Sequence, residues 1–249
     1  MSRPLIVTTS WDDGHPLDMR VAELLARHGL AGTFYVPTRN SEGRPVLGAA
    51  DIRALSSGFE IGGHGRDHVV LTGLSRADVR VQVSQNKAWL EDLLGARLRG
   101  FCHIRGAWSR ETADEVRAQG FAYARAVTGF HARVGPDAFA VPTTLQFFPH
   151  RVGAVLRHLV RRGPSASRIA LAGVALGQND LVDRVEAMAL ASQARGGYFH
   201  LWGHSWELEA HDLWDALDAA LGVLAGLRGE ARYLTNDAAL VAAGLIPAP

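Results

Sequence analysis

The chain has 249 residues and very little of several informative residue types. It has one cysteine, Cys102, so it can build neither an intrachain disulfide framework nor an all-thiolate metal site. It has one lysine, Lys87, and its arginines are scattered without forming a stripe. The 26 basic and 25 acidic residues leave a net charge of +1. A balance this even offers no electrostatic footprint for nucleic acid or an anionic membrane surface. No apolar run approaches the roughly 18 residues that cross a bilayer. The start, "MSRPLIVTTSWDDG", lacks the cationic head, apolar stretch and small-residue cleavage site of a secretory signal. A cytoplasmic protein with neither nucleic-acid nor membrane partner is expected. There is no linker rich in Pro, Gly or Ser and no internal repeat, and 47% of the residues are hydrophobic. That is ample for one large core, so a single domain over 1–249 is expected.

Strand-like runs alternate with helical patterns. "LIVTTSW" (5–11) reads as a buried strand, "LDMRVAELLARHG" (17–29) as a helix stopped at Gly29, and "AGTFYVP" (31–37) as a strand closed by proline. "SEGRPVL" (41–47) is a loop, "DIRALSSG" (51–58) a short helix capped by Asp51, and "FEIGGHG" (59–65) a brief strand. A long helix over 75–95 starts at Ser75, a strand covers 99–106, and a helix runs from Ser109 to Gly120. "FAYARAV" is another strand, and residues 150–162 suggest a helix within a proline-punctuated middle. A helix over 180–197, the strand "YFHLWGH" (198–204), a helix over 206–229 and a short helix near "NDAALVAAG" complete the chain. The alternation predicts an α/β fold with a parallel sheet, open or closed as a barrel. Ligands of such folds sit at the carboxyl ends of the strands.

Polar residues gather at those ends. Asp12 and Asp13 follow the first strand, and His64 and His68 follow "FEIGG". Arg105 and Trp108 follow "GFCHI", and His204 and Glu207 follow "YFHLW". Adjacent strand residues point to opposite faces, so two neighbouring aspartates serve one site only where the strand breaks, a turn that Gly14 permits. A solvated turn is the competing reading of this pair. Paired carboxylates raise each other's pKa unless a cation lies between them. The i, i+4 spacing of His64 and His68 puts both imidazoles on one side of a helical turn; two unrelated surface histidines are the competing reading. One aspartate with two histidines gives three protein ligands and leaves a place for water, the ligand count of a catalytic zinc site.

"TTSWDDG" resembles the first motif of the polysaccharide deacetylase (NodB homology) family, T-F-D-D-G. "HGRDH" resembles the second, H-S/T-x-x-H; "RGAW" stands where the third, R-x-P-Y, is expected; "LWGH" resembles the fifth, L-x-H. The resemblance implies a distorted (β/α)-barrel of about seven parallel strands and a carbohydrate esterase type of enzyme. By position, Asp12 is implied as general base, and Asp13, His64 and His68 as ligands of a divalent metal. Zinc is the first choice, with cobalt or nickel as alternatives. Arg105 would orient Asp12, Trp108 would line the pocket, and His204 would act as general acid. The fourth motif has no clear match; Asp137, His150 and Glu207 are the candidates for the polar partner of His204. His150 and Trp206 are also candidate substrate contacts. Gly65 in place of Ser/Thr and Ala107-Trp108 in place of Pro-Tyr mark a divergent branch.

The implied reaction is hydrolysis of an N-acetyl or other small acyl amide on an amino sugar, monomer or oligosaccharide. A deformylase, or an amidohydrolase acting on a ureide or cyclic imide, is the alternative within the same class. An inactive carbohydrate-binding module and an interaction protein are the alternatives outside it. Trp214 and His200 read as core residues, Cys102 as buried and inert, and His103 as structural. The aromatics of "LQFFPHR" suggest a substrate lid or a subunit contact in a homo-oligomer.

Overall fold

The β-branched run after Pro4 forms β1 (Leu5–Trp11), which is buried along almost its whole length. A computed structural model describes residues 4–161 and 163–249. In chain order there follow α1 (Asp18–His28), β2 (Thr33–Val36), α2 (Ala49–Ser56), β3 (Glu60–Gly63), α3 (Arg76–Leu94) and β4 (Gly100–Cys102). Then come α4 (Arg110–Ala118), β5 (Tyr123–Arg125), β6 (Leu145–Gln146), α5 (Val152–Arg161), α6 (Ala166–Leu176) and α7 (Leu181–Arg195). The chain ends with β7 (Tyr198–Gly203), α8 (Ser205–Ala210), α9 (Trp214–Gly226), β8 (Ala231–Tyr233) and α10 (Asn236–Ala242). Among the described residues, no helix is long and apolar enough to cross a membrane.

Seven strands form one curled parallel sheet in the order β5-β4-β3-β2-β1-β7-β6, with β1 between β2 and β7. β7 pairs with β1 from Ile6↔Tyr198 to Trp11↔Gly203. On the opposite edge of β1, β8 pairs with Leu5–Val7 and β2 with Ser10 and Trp11. The curl brings β5 and β6 towards each other without closing the ladder: a single bridge, Arg125↔Val141, extends β5 at that seam. This is the distorted barrel that the resemblance implies, built on the parallel sheet that the strand–helix alternation predicts. Its wall is packed by apolar side chains such as Val7, Trp11, Phe34, Phe101, Phe199 and Leu201, all buried.

Local chemistry sets most element ends. Gly29 (φ 65°) and Gly95 (φ 65°) stop α1 and α3 in the left-handed conformation. Ser75 caps α3 by accepting from the Asp78 N–H, and Ser109 and Thr112 form a reciprocal capping box on α4. Four expectations need correction. The N-cap of α2 is Gly48, and Asp51 lies inside its first turn, where the helix dipole favours a carboxylate. The expected strand over 99–106 ends at Cys102 and passes into a tight 3₁₀ turn, Ile104–Gly106. The expected helix over 206–229 is two helices, broken at His211–Leu213 where Asp212 has φ 51°. The expected helix over 150–162 spans Val152–Arg161, and residue 162 lies outside the described residues. The short strands β6 and β8 carry too few residues to show a periodicity and were not expected.

Candidate active site

Thr8, Ser10 and Asp12 share one face of β1, which looks into the barrel. His200 on β7 sits between the first two, bonding Thr8 Oγ1 (2.8 Å) and Ser10 Oγ (2.8 Å). It is a core histidine, as its sequence position suggests. Asp12 follows at the strand end and is 3% exposed. The chain then turns sharply: Asp13 has φ 78° and Gly14 φ 57°. This left-handed pair breaks the strand alternation and lets both carboxylates enter one site.

The turn aims Asp13 at the loop after β3. Asp13 Oδ1 lies 2.9 Å from His68 Nε2 and 3.5 Å from His64 Nε2. The three residues are buried, and their ligand atoms lie within 4.8 Å of one another. The two histidines meet through a loop rather than a helical turn: Gly65 (φ 78°) and His68 (φ 53°) fold the segment 64–68 back on itself. Asp67, within it, is gripped by Arg39, Arg66 and Gln82, so the loop is pinned from below. Asn86 on α3 accepts from the His64 N–H and donates to Val36 O and Thr38 Oγ1, tying β2 and β3 together under the site.

The donor set fits a divalent cation. His64 Nδ1 lies 2.9 Å from the Cys102 carbonyl, which only accepts, so Nδ1 carries a proton and Nε2 is the nitrogen turned towards Asp13. His68 Nδ1 is buried without a hydrogen-bond partner and lies 3.6 Å from Glu42 Oε1, an ion-pair distance. Burial alone would raise the Asp13 pKa; hydrogen bonds from both histidines and the charge of His204 overcome it and hold the carboxyl well below the usual range. Asp12, His64 and Cys102 form a second cluster with metal-ligand spacing. The Arg125 guanidinium lies against both Asp12 and Cys102 Sγ (3.0 Å), and a resident cation disfavours a metal there. Burial also pushes the Cys102 thiol up, in keeping with an inert cysteine.

One sequence expectation fails on geometry. Arg105 does not reach Asp12: its side chain is 69% exposed and bonds Glu42 Oε1 at 2.8 Å. The guanidinium on Asp12 belongs to Arg125 at the end of β5, which is fully buried and grips both carboxylate oxygens. The signal for it stands in "FAYARAV", where a charged side chain alternates with buried apolar ones; such a residue needs a buried counter-charge. Trp108 is half-buried and stacks on His103 (6.3 Å) at the rim. His103 is structural, its Nε2 bonding the Phe139 carbonyl, with burial pushing its pKa down to about 4.

On the other side of Asp13, β7 delivers His204 and α8 its partners. His204 Nδ1 lies 2.7 Å from Glu207 Oε2. Burial would lower the His204 pKa; the Glu207 bond and the charges of Asp13 and Asp12 reverse this and raise it. Of the three candidates for its polar partner, Glu207 holds that place. Asp137 accepts from Phe139 N in its own loop, and His150 stands further back, bonding Gln146 Oε1, while Gln146 Nε2 donates to Glu207. Trp206 donates its indole N–H to Asp13 Oδ2 (2.9 Å), with the Arg44 guanidinium 3.9 Å over its ring. Trp214, by contrast, packs on α9, as its helical position suggests.

Residues 2–124 match the family model described as polysaccharide deacetylase. Over this stretch the chain resembles the polysaccharide deacetylase family. The solved structures similar to it agree on the fold. A family 4 acetyl xylan esterase from Clostridium thermocellum, solved with a cobalt ion, is 18% identical with a TM-score of 0.59, covering 96% of this chain and 92% of that one. The Xyl-CE4 domain of a multidomain xylanase from the hindgut metagenome of Trinervitermes trinervoides is 13% identical (TM-score 0.59; 97% and 92% covered). A CE4 family pseudoenzyme from Bacillus anthracis is 14% identical (TM-score 0.57; 94% and 64% covered). One structure with this fold is thus a pseudoenzyme, so catalysis has to be argued from this chain's own residues.

Proposed function

We propose that this protein is a metal-dependent hydrolase that removes a small acyl group, acetyl foremost, from the nitrogen of an amino sugar in the cytoplasm. The observation that carries the reading is the buried Asp13–His64–His68 triad flanked by Asp12–Arg125 on one side and His204–Glu207 on the other.

Asp13, His64 and His68 would hold the ion; nitrogen and carboxylate donors suit zinc, with cobalt or nickel as substitutes. What such an ion supplies when bound is acidity, lowering the pKa of water from roughly 15.7 to about 7. Asp12 takes the proton as water attacks the amide carbon, and Arg125 keeps its carboxylate aimed. His204 donates a proton to the departing nitrogen, which otherwise leaves as an unfavourable amine anion. Glu207 orients the imidazole and favours its protonated form. Trp206 fixes Asp13 through its indole N–H. The products are acetate and a free amine.

The second reading, a deformylase or an amidohydrolase of ureides or cyclic imides, is favoured by the Glu42–Arg105 and Arg44–Trp206 contacts. They bridge the rim over the triad and suit a small substrate better than a polymer. A panel of N-acetylglucosamine monomer and oligomers, N-formyl sugars and ureides, scored for released acid or amine, separates the two. Release is expected to stop with a chelator and return with zinc. Glycan affinity with no turnover under any divalent metal would mark an inactive binding module instead.

A further inference from the structure

The seam between β5 and β6 holds a feature that the reaction above does not use. A cavity of about 190 Å³ lies between β6, residues 127–130 and the helices α5 to α7. Its chamber is apolar, walled by Phe130, Leu145, Val155, Ala175, Leu176 and the ring of Trp202. Apolar cavities of about 150 Å³ stay dry and take a benzene-sized guest. This one therefore suits a phenyl ring or a short branched alkyl chain.

Its edge is polar and cationic. Arg184 lines it, donating from Nη2 to the Gln178 carbonyl (2.8 Å), while its buried Nε has no hydrogen-bond partner. Among the described residues it makes no ion pair. The acid that offsets its charge, Asp180, is occupied in capping α7, accepting from the N–H groups of Val182 and Asp183. A partly buried guanidinium with an idle donor is costly unless an acceptor arrives from outside. Past Phe148, His150 and Ala154 the cavity leads into an open depression lined by Arg151, Arg157 and His211. From Ala138 to Asn179 the sequence has five arginines and no aspartate or glutamate. The mouth attracts anions.

Trp202 and Gln146 stand between the cavity and the reacting groups. The Trp202 ring that forms its inner wall has the Arg125 guanidinium 5.1 Å from its centroid and His204 edge-on at 5.5 Å. Gln146, on the same wall, donates to Glu207.

We propose that this cavity is a subsite for a group carried by the substrate beyond the amino sugar and its scissile amide, and that this group is an organic anion with an apolar body. The ring or branched chain fills the chamber and its carboxylate pairs with Arg184. The assignment as a substrate subsite rests on the hydrolase reading above; the binding chemistry does not.

Calorimetry with phenylacetate and 2-phenylethanol tests it, using the wild-type protein and Asp13→Asn so that a carboxylate on the metal is not mistaken for one on Arg184. Phenylacetate is expected to bind both proteins with equal, submillimolar affinity. Arg184→Gln should weaken phenylacetate at least tenfold and leave the alcohol unchanged, and Ala154→Phe, at the mouth, should abolish binding of both. In turnover, Ala154→Phe should raise KM for amides bearing an apolar carboxylate and spare N-acetylglucosamine. No binding of either compound to the wild-type protein, or equal effects of Arg184→Gln on acid and alcohol, overturns the subsite. Because binding is read without turnover, failure of the hydrolase reading leaves these titrations interpretable.

Discussion

Asp12 and Asp13 stand side by side in sequence, yet the left-handed turn at Asp13 and Gly14 gives them different neighbours: a buried arginine for one, two histidines for the other. Different losses follow. Asp13→Asn should leave the purified protein without metal, whereas Asp12→Asn should keep the metal and lose about 10²–10⁴-fold in kcat, read by elemental analysis beside initial rates. The two arginines are predicted to differ as sharply. Arg125→Met strands the Asp12 carboxylate in the barrel and should cost about 3–5 kcal/mol in a denaturant melt. Arg105→Ala removes an exposed ion pair and should stay within about 1 kcal/mol. Glu207 sets the pH behaviour. It raises the His204 pKa, so the proton-donating form persists to higher pH. Glu207→Gln should lower that pKa and move the alkaline limb of kcat/KM to lower pH, with the acidic limb unmoved.

At the scale of elements, each motif rides on a strand end fixed by ordinary local rules, and those parts were legible. The apolar run of β1, the serine caps of α3 and α4 and the glycine stops place Asp12, Asp13, His64, His68 and His204 at one rim. What was not legible is contact between distant segments. Arg105 follows one short strand and Arg125 ends another, and only the path of the 3₁₀ turn at Ile104–Gly106 decides which guanidinium faces inward. Likewise, the i, i+4 spacing of His64 and His68 fits a helix, but the backbone achieves the same meeting with a loop. That loop depends on α3 through Asn86, which is fully buried and bonded to three groups on the ends of β2 and β3. Asn86→Leu should therefore destabilise the fold by about 2–4 kcal/mol, because the His64 N–H and the Val36 carbonyl lose their partner. It should also weaken metal affinity tenfold or more, measurable by competition with a chromogenic chelator.

Across the whole molecule, the proposed metal ligands come from two segments about fifty residues apart in sequence, the ends of β1 and β3. Binding an ion there ties two strand ends together and stabilises the folded state by mass action, about 4 kcal/mol when free metal exceeds its Kd a thousandfold. Chelation should lower Tm in the wild-type protein and leave Asp13→Asn unmoved. The unclosed seam between β5 and β6 gives the same molecule its apolar chamber, which a fully laddered barrel would fill with strand. The most direct measurement is elemental analysis of the purified wild-type protein beside Asp12→Asn, Asp13→Asn and the His64→Ala, His68→Ala double variant, with amide turnover followed on each sample. The expected result is one divalent ion per chain in the wild-type protein and Asp12→Asn, none in the other two, and turnover in the wild-type protein alone. Equal metal content in Asp13→Asn and the wild-type protein, or undiminished turnover in the histidine double variant, would contradict it.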